Sequence, residues 1–412
     1  MLETHLRSPV TQRRLRSGPA ADHVDHFADW LRSRGYRPRS IEDVLRALAG
    51  WTDWMCAAGF TAHDVLSAFS ACKVELETQP SVRYRRGINR VTLTAASAYV
   101  RFLQGQGVVP PPVVSPAPSD RWPMLGAFRS WMRQHRGLTE STLDVYQGIL
   151  VGLCEQLGDD PGRYTAEALR AFVLDRARPH GIWRAKSIVV AVRTLLRFLG
   201  ATGQSPAGME HAIPGFASWQ LSSIPRFLVP ADVERVIGCC AGHANGLRDR
   251  AVILLLARLG LRASEVAGLI FADIDWDNGR IAVCGKGRRQ EWLPLPQEVG
   301  TAIRLYLRKS RPPLRVPEVF TTVLAPCRPL TRASVTHIVR SALGRTGIKA
   351  PINGAHVLRH SAATAMLRQG ASLASVGAVL RHRSPQTTAH YAKVDFALLS
   401  EIAQPWPQVS SC

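Results

Sequence analysis

Residues His356–Tyr391 read HVLRHSAATAMLRQGASLASVGAVLRHRSPQTTAHY, and the rest of the chain is interpreted from them. Gly370 is expected to end a first helix and Ser372 to cap a second. Ser384 followed by Pro385 predicts a third helix, because proline is favoured at the first helical position. Helices this short and close can bring four side chains of the stretch into one pocket: His356, Arg359, His382 and Tyr391.

The composition is strongly basic. The 412 residues include 52 Lys and Arg against 31 Asp and Glu, a formal net charge of +21. A hydrophobic content of 46% is enough for two or three folded domains. A positive charge spread along the chain favours a polyanionic partner, although an arginine-rich proteome is an alternative explanation of the same count.

Neither a membrane nor a metal is indicated. No apolar run approaches the ~20 residues of a membrane span, and the N-terminus lacks the apolar core of a secretion signal. We therefore expect a cytoplasmic, nucleoid-associated protein. The eight cysteines are scattered and lack the spacing of zinc ligands.

Proline- and glycine-rich segments divide the chain. The helical spacing of apolar residues resumes after each of them. The predicted order is a basic tail without fixed structure (1–20), a helical domain (21–108), a Pro-rich linker (109–121), a second helical domain (122–202), a second linker (203–225) and a final domain (226–412).

The two predicted helical domains resemble each other. Phe128 and Trp131 repeat the spacing of Phe27 and Trp30, and Arg197-Phe198-Leu199 repeats Arg101-Phe102-Leu103. We interpret this as two related helical bundles. Chance recurrence of aromatic spacings in amphipathic helices is the alternative.

The second helical domain carries a basic stretch. Arg184 and Lys186 are predicted to precede a helix whose apolar face consists of Ile188, Val189, Val192, Leu195 and Leu196. A helix dipole disfavours cations at that end, so contact with DNA phosphates is one reason for their presence. The alternative is that these two charged side chains lie on a solvated helix face without a binding partner.

The final domain combines helices with a hairpin. A helix should begin at Pro230, a buried helix should end at Gly260, and Ser264 should cap a short one. Asp-Asn-Gly predicts a hairpin turn before a strand at Arg280–Cys284, and GKGRRQ should join that strand to a second one at Glu291–Leu295. The fold class is therefore mainly α with a small β-hairpin sheet.

The candidate catalytic set suits phosphate chemistry. It consists of Arg262, Lys286, His356, Arg359, His382 and Tyr391. The set lacks the carboxylates that hard metals require and any Ser or Cys on a nucleophile turn. Guanidiniums bind phosphodiester oxygens bidentately and stabilise developing charge, and a tyrosine hydroxyl can act as nucleophile.

The same residues carry a family resemblance. The motifs GLRASE, CGKG, HVLRH, LRH and HY follow one another over about residues 226 to 400. Together they resemble the phage-integrase type of tyrosine recombinase. The resemblance implies site-specific DNA integration or transposition for a mobile element, without a cofactor. Integrase, resolvase and transposase would all use these motifs.

The resemblance also implies a role for each residue. Tyr391 would attack the scissile phosphate to form a 3′-phosphotyrosine intermediate, and Arg262 and Arg359 would clamp that phosphate. His356 would accept the tyrosine proton and Lys286 would protonate the leaving oxygen. His382 would donate a hydrogen bond to the phosphate.

One position departs from the family pattern. A glycine commonly precedes the second histidine, whereas this chain has Arg381. If the turn needs a positive φ, Arg381 is strained, although it can instead add a phosphate contact. The residues predicted to bind DNA are Arg184, Lys186, Arg288, Arg289, Arg381 and Arg383.

The resemblance further implies SAM-like helical domains that clamp double-stranded DNA in front of the catalytic domain. Residues 122–202 would bind core DNA, and residues 21–108 would be an extra module for arm-site DNA or partners. We expect a homotetramer on DNA, alone or with sister recombinases. The tail after Tyr391 would pack on a neighbouring subunit or on its own domain. A type IB topoisomerase and a non-catalytic DNA-binding accessory protein are the alternatives.

Overall fold

A computed structural model describes residues 2–78, 88–111, 116–217, 225–284, 290–382, 384–394 and 399. The fold is mainly helical with a small antiparallel sheet, so the predicted fold class is confirmed. The chain forms two compact units, residues 1–110 with 223–412, and residues 111–222. None of the helices in the described ranges has the length and apolar character of a membrane span.

The first helical region, here called the N-terminal bundle, packs residues between Leu2 and Leu103 into one hydrophobic core. Its α-helices are α1 (Pro9–Ser17), α2 (Val24–Ser33), α3 (Pro38–Ala57), α4 (Val65–Thr78) and α5 (Arg90–Gly105).

The first 20 residues do not form the unstructured tail that the sequence suggested. Ser8 caps α1 by accepting a hydrogen bond from the Thr11 backbone N–H, and Pro9 occupies the first helical position. Leu2, Leu6 and Leu15 are fully buried in the bundle core. The basic side chains of this segment therefore lie on a helix that is anchored by its apolar residues.

The second helical region, here called the middle bundle, has a core that extends from Trp122 to Ile213. Its α-helices are α6 (Pro118–Arg121), α7 (Pro123–Arg136), α8 (Glu140–Leu157), α9 (Ala166–Ala177) and α10 (Ile182–Ala201).

Each bundle contains an equivalent aromatic contact within its own core, which supports the interpretation that the bundles are related. In the N-terminal bundle, the ring of Phe102 lies 5.5 Å from Phe27 and 5.9 Å from Trp30. In the middle bundle, the ring of Phe198 lies 5.8 Å from Phe128 and 5.7 Å from Trp131. The repeated sequence positions thus make the same contact in each core.

Helix α10 begins earlier than predicted. It starts at Ile182, so Arg184 and Lys186 lie in its first turns and do not precede it. Arg184 is exposed, and the Lys186 ammonium lies 6.0 Å from the ring centre of the exposed Trp183. The predicted apolar face is buried as expected, namely Ile188, Val189, Val192, Leu195 and Leu196.

The C-terminal domain contains the sheet and the remaining described helices. Its elements are α11 (Pro230–Gly238), α12 (Gly246–Arg258), α13 (Ala263–Ala267), β1 (Ile274–Asp275), β2 (Arg280–Cys284), β3 (Gln290–Pro294), α14 (Gln297–Lys309), α15 (Arg332–Thr346), α16 (His356–Arg368), α17 (Leu373–Val379), α18 (Pro385–Ala389) and a 3₁₀ helix (His390–Val394).

The sheet follows the predicted hairpin. Strand β2 pairs antiparallel with β1 and β3, with Ile281 opposite both Ile274 and Leu293. The turn before β2 is closed by a hydrogen bond from the Asn278 N–H to Asp275 Oδ1, and Gly279 adopts φ +58°. The third strand begins one residue before the predicted Glu291.

Helix α12 organises the C-terminal domain. Its residues 251–256 have no exposed surface, and it packs against α14 and α16. The residue that caps α13 is Arg262 and not the predicted Ser264. The reason is that the Glu265 carboxylate accepts a hydrogen bond from the Arg262 backbone N–H. Helix α12 and this cap place Arg262 beside α16.

Candidate active site

Arg262 is held by the acidic residue of its own cap. Its Nη1 donates to Glu265 Oε1 at 2.6 Å, and its Nη2 donates to the Arg381 carbonyl at 3.2 Å. About a third of the Arg262 side chain is exposed, whereas the Glu265 side chain is 4% exposed. Arg262 thus has a fixed position and an open side toward solvent.

Arg359 lies in the first turns of α16 and is almost fully buried. Its guanidinium donates to the backbone carbonyls of Gly260 and Leu380. Burial, with the charge of Arg262, lowers the pKa of Arg359 to about 10. Arg359 therefore remains charged at neutral pH and can bind an anion.

The turn at residues 380–382 joins these two arginines. Arg359 bonds to the carbonyl of Leu380, and Arg262 bonds to the carbonyl of Arg381. The next residue is His382, whose Nδ1 lies 2.8 Å from the Thr388 hydroxyl. Burial lowers the pKa of His382 to about 4, so its ring is neutral at pH 7. One short turn therefore fixes both guanidiniums and this imidazole.

Tyr391 lies in the 3₁₀ helix and is 3% exposed. Its Oη is 2.7 Å from Nδ1 of His360, and its ring is parallel to that of His382 at 6.3 Å. Burial raises the pKa of Tyr391 to about 12 and lowers the pKa of His360 to about 3. A protonated hydroxyl beside a neutral imidazole can donate its hydrogen to Nδ1.

His356 occupies the first position of α16 and is exposed there. Its ring contacts the ring of His360 edge to face at 4.3 Å. Desolvation by the surrounding protein, together with the charge of Arg359, lowers the pKa of His356. His356 therefore lies next to His360, and it is His360 that is the hydrogen-bond partner of the Tyr391 hydroxyl.

Comparison with known proteins shows the family to which the chain belongs. The family model of the phage integrase family matches residues 226–397. The chain is 37% identical to the putative integrase/recombinase y4rA of Sinorhizobium fredii, over 95% of each chain. It is 32% identical to the tyrosine recombinase XerC of Chlorobaculum tepidum, over 68% of this chain and 92% of that protein. The chain belongs to the phage integrase family of tyrosine recombinases.

The fold agrees with this membership. The crystal structure of XerH site-specific recombinase bound to palindromic difH substrate matches with a TM-score of 0.54 and 18% identity. The match covers 82% of this chain and 94% of the XerH chain. The family resemblance read from the five sequence motifs is thus confirmed.

Most of the predicted catalytic side chains of this family member lie close together in the C-terminal domain. Arg262, Arg359 and His382 meet at the turn of residues 380–382, and Tyr391 and His356 both contact the ring of His360. Four of the predicted site residues lie outside the described residues, namely Lys286, Arg288, Arg289 and Arg383. Arg184 and Lys186 lie on α10 of the middle bundle.

Sequence reasoning missed two residues that contact the candidate catalytic side chains, His360 and Glu265. His360 follows Arg359 directly and lies four residues after His356, so helical spacing places both histidines on one face. That spacing could have revealed it. Glu265 lies three residues after Arg262, which is the spacing of a helix-capping carboxylate.

Proposed function

We propose that the chain is a site-specific DNA recombinase of the integrase or transposase type. It would cut and rejoin DNA through a 3′-phosphotyrosine intermediate. The observation that carries this proposal is the convergence of Tyr391 with Arg262, Arg359 and His382 around one backbone turn. Two permanent cations beside a tyrosine hydroxyl suit a phosphodiester better than an uncharged substrate.

In the proposed cleavage, the Tyr391 oxygen attacks the scissile phosphorus. A bond from phosphorus to the tyrosine oxygen forms, and the bond from phosphorus to the 5′ oxygen breaks. Arg262 and Arg359 would neutralise the charge on the non-bridging oxygens, and His382 would add a hydrogen bond. Lys286 would protonate the leaving 5′ oxygen. The 5′-hydroxyl of a partner strand then reverses these steps and rejoins the DNA.

The proton of Tyr391 needs an acceptor, and two histidines compete for this role. The family resemblance assigns it to His356. The contact geometry favours His360, because its Nδ1 lies within hydrogen-bond reach of the tyrosine oxygen. We propose that His360 receives the proton and that His356 supports His360 through their ring contact.

Double-stranded DNA is the proposed partner, and the net charge of +21 supports it. The middle bundle would bind core DNA, with Arg184 and Lys186 on phosphates. The N-terminal bundle, with its related aromatic core, would bind arm-site DNA or a partner. Recombination requires two duplexes, so we propose a homotetramer on DNA, with sister recombinases as a further option.

Trapping on nicked DNA tests the proposed cleavage. The probes are duplexes from the DNA on both sides of the gene, each with a nick that lets the cut fragment diffuse away. The wild-type chain should form a covalent protein–DNA adduct on a denaturing gel, and Tyr391→Phe should form none because it lacks the nucleophilic oxygen. A persistent adduct in Tyr391→Phe would refute the assigned nucleophile.

The same assay separates the alternatives. A non-catalytic accessory protein would bind these duplexes without any adduct. A type IB topoisomerase would relax supercoiled plasmid and would show no strand exchange between two duplexes. Exchange between two labelled duplexes by the wild-type chain is the result expected of a recombinase.

A further inference from the structure

Resting on the proposed function, we infer that Arg381 is a positioning residue for Arg262 and acts through Glu265. The evidence is a closed set of contacts among these three residues. Arg381 Nη2 donates to Glu265 Oε2 at 2.7 Å, and Arg262 Nη1 donates to Glu265 Oε1 at 2.6 Å. The Arg381 carbonyl in turn accepts a hydrogen bond from Arg262 Nη2.

The backbone of Arg381 is the first sign of a special role. Among the described residues it is the one non-glycine residue with a positive φ, at 56°. A glycine adopts this conformation without cost, whereas a residue with a Cβ is strained in it. An arginine at such a position needs a compensating interaction of its side chain.

That interaction is the ion pair with Glu265. The Arg381 side chain is 2% exposed and the Glu265 side chain is 4% exposed. A carboxylate this deeply buried is costly unless cations and hydrogen-bond donors surround it. Arg381 and Arg262 supply these, one on each oxygen. If either arginine side chain is removed, the Glu265 carboxylate is paired with the remaining arginine alone.

The consequence for Arg262 follows from charge balance. With Arg381 present, the Glu265 charge is shared, and the partly exposed Arg262 guanidinium keeps positive charge available for a phosphate. Without the Arg381 side chain, Glu265 pairs with Arg262 alone and competes with the phosphate for it. Arg381 therefore sets how strongly Arg262 stabilises the transition state.

This role differs from a direct phosphate contact. The Arg381 guanidinium points to Glu265 and to the carbonyl of Val379, and it has almost no exposed surface. Unlike Arg262, Arg381 has no open side toward solvent, and unlike Arg359, which bonds to neutral carbonyls, its charge is already paired with a carboxylate. The buried geometry thus favours positioning over the DNA contact considered from the sequence.

The test uses Arg381→Gly, because glycine accepts the positive φ and leaves the backbone unstrained. The readouts are the single-turnover rate of adduct formation on the nicked duplexes and the Kd for the same duplexes. We expect the rate to fall about 10- to 100-fold, which corresponds to about 1.4–2.8 kcal/mol, with an unchanged Kd. Arg381→Lys keeps the charge and should recover part of the rate.

The Glu265→Gln background makes the test specific. Since Arg381 acts through the Glu265 charge, Arg381→Gly should slow the Glu265→Gln chain by less than about threefold, a strong departure from additivity. A raised Kd with a salt slope reduced by about 0.9 would instead identify a phosphate contact and overturn the inference. An unchanged adduct rate in Arg381→Gly would also overturn it. If the wild-type chain forms no adduct at all, the proposed function fails, and this inference fails with it.

Discussion

At the scale of single residues, the two histidines of α16 can be separated by mutation. His360 bonds to the Tyr391 hydroxyl, while His356 contacts the His360 ring. His360→Ala should slow adduct formation on the nicked duplexes by about 10²–10⁴-fold, the usual contribution of a proton acceptor. His356→Ala should slow it less, because the hydroxyl keeps its partner. Single-turnover kinetics measures both.

His337 provides the control for this comparison. It is an exposed histidine on α15 whose Nε2 lies 3.4 Å from the Ser341 hydroxyl. His337→Ala should keep the wild-type rate. Added imidazole should partly restore His360→Ala by filling the space of the lost ring. Full activity of His360→Ala together with an inactive His356→Ala would return the proton-acceptor role to His356.

At the scale of elements, the close approach of α12 to the turn at 380–382 makes Gly260 sensitive to substitution. A Cβ at Gly260 would lie 2.5 Å from Leu380 Cδ2, and its φ is +60°. Gly260→Ala should destabilise the chain by about 1–3 kcal/mol and should also slow adduct formation, since the Gly260 carbonyl holds Arg359. Thermal unfolding and trapping kinetics measure these effects.

Gly370 is the matched control for Gly260. It also has a positive φ, of +89°, but a Cβ there would meet nothing within 4 Å. Gly370→Ala should lose stability of about 1 kcal/mol from backbone strain alone and keep the adduct rate. If both variants behave alike, the Leu380 contact does not matter. If that contact does matter, adding Leu380→Ala to the Gly260→Ala chain should recover stability.

The elements of the site were largely predictable because local signals specify them. Ser372 caps α17, Pro385 begins α18, and Gly370 has the left-handed conformation expected after α16. The contacts between elements were not predictable. Glu265 and Arg381 are distant in the chain, and no local rule pairs them. The burial of Tyr391 likewise depends on packing of α16 and α17, which the spacing of residues does not encode.

At the scale of the whole molecule, the positive charge should appear in the salt dependence of DNA binding. Arg184 and Lys186 lie at the start of α10 with few acidic neighbours in that turn. Arg184→Ala and Lys186→Ala should each reduce the slope of log K against log salt by about 0.9, the value for one lost phosphate contact. Equilibrium binding of labelled duplex at several salt concentrations measures the slope.

Arg178 of the same bundle is the control for this charge loss. It is 80% exposed and pairs with Asp175, so Arg178→Ala removes one charge from a site where a carboxylate already neutralises it. Its slope should match that of the wild-type chain. Equal reductions of the salt slope in Arg184→Ala, Lys186→Ala and Arg178→Ala would indicate a general charge effect. They would contradict a DNA-binding role for the start of α10.

The burial of Tyr391 has a consequence for the order of events on DNA. A duplex that reaches the C-terminal domain would meet the partly exposed Arg262 first, because the tyrosine oxygen is turned inward to His360. We therefore expect binding and strand cleavage to be separate steps, with a rearrangement of the His390–Val394 segment between them. We expect isolated encounters with DNA to leave both strands whole, so that breakage waits for the assembly that can also reseal it.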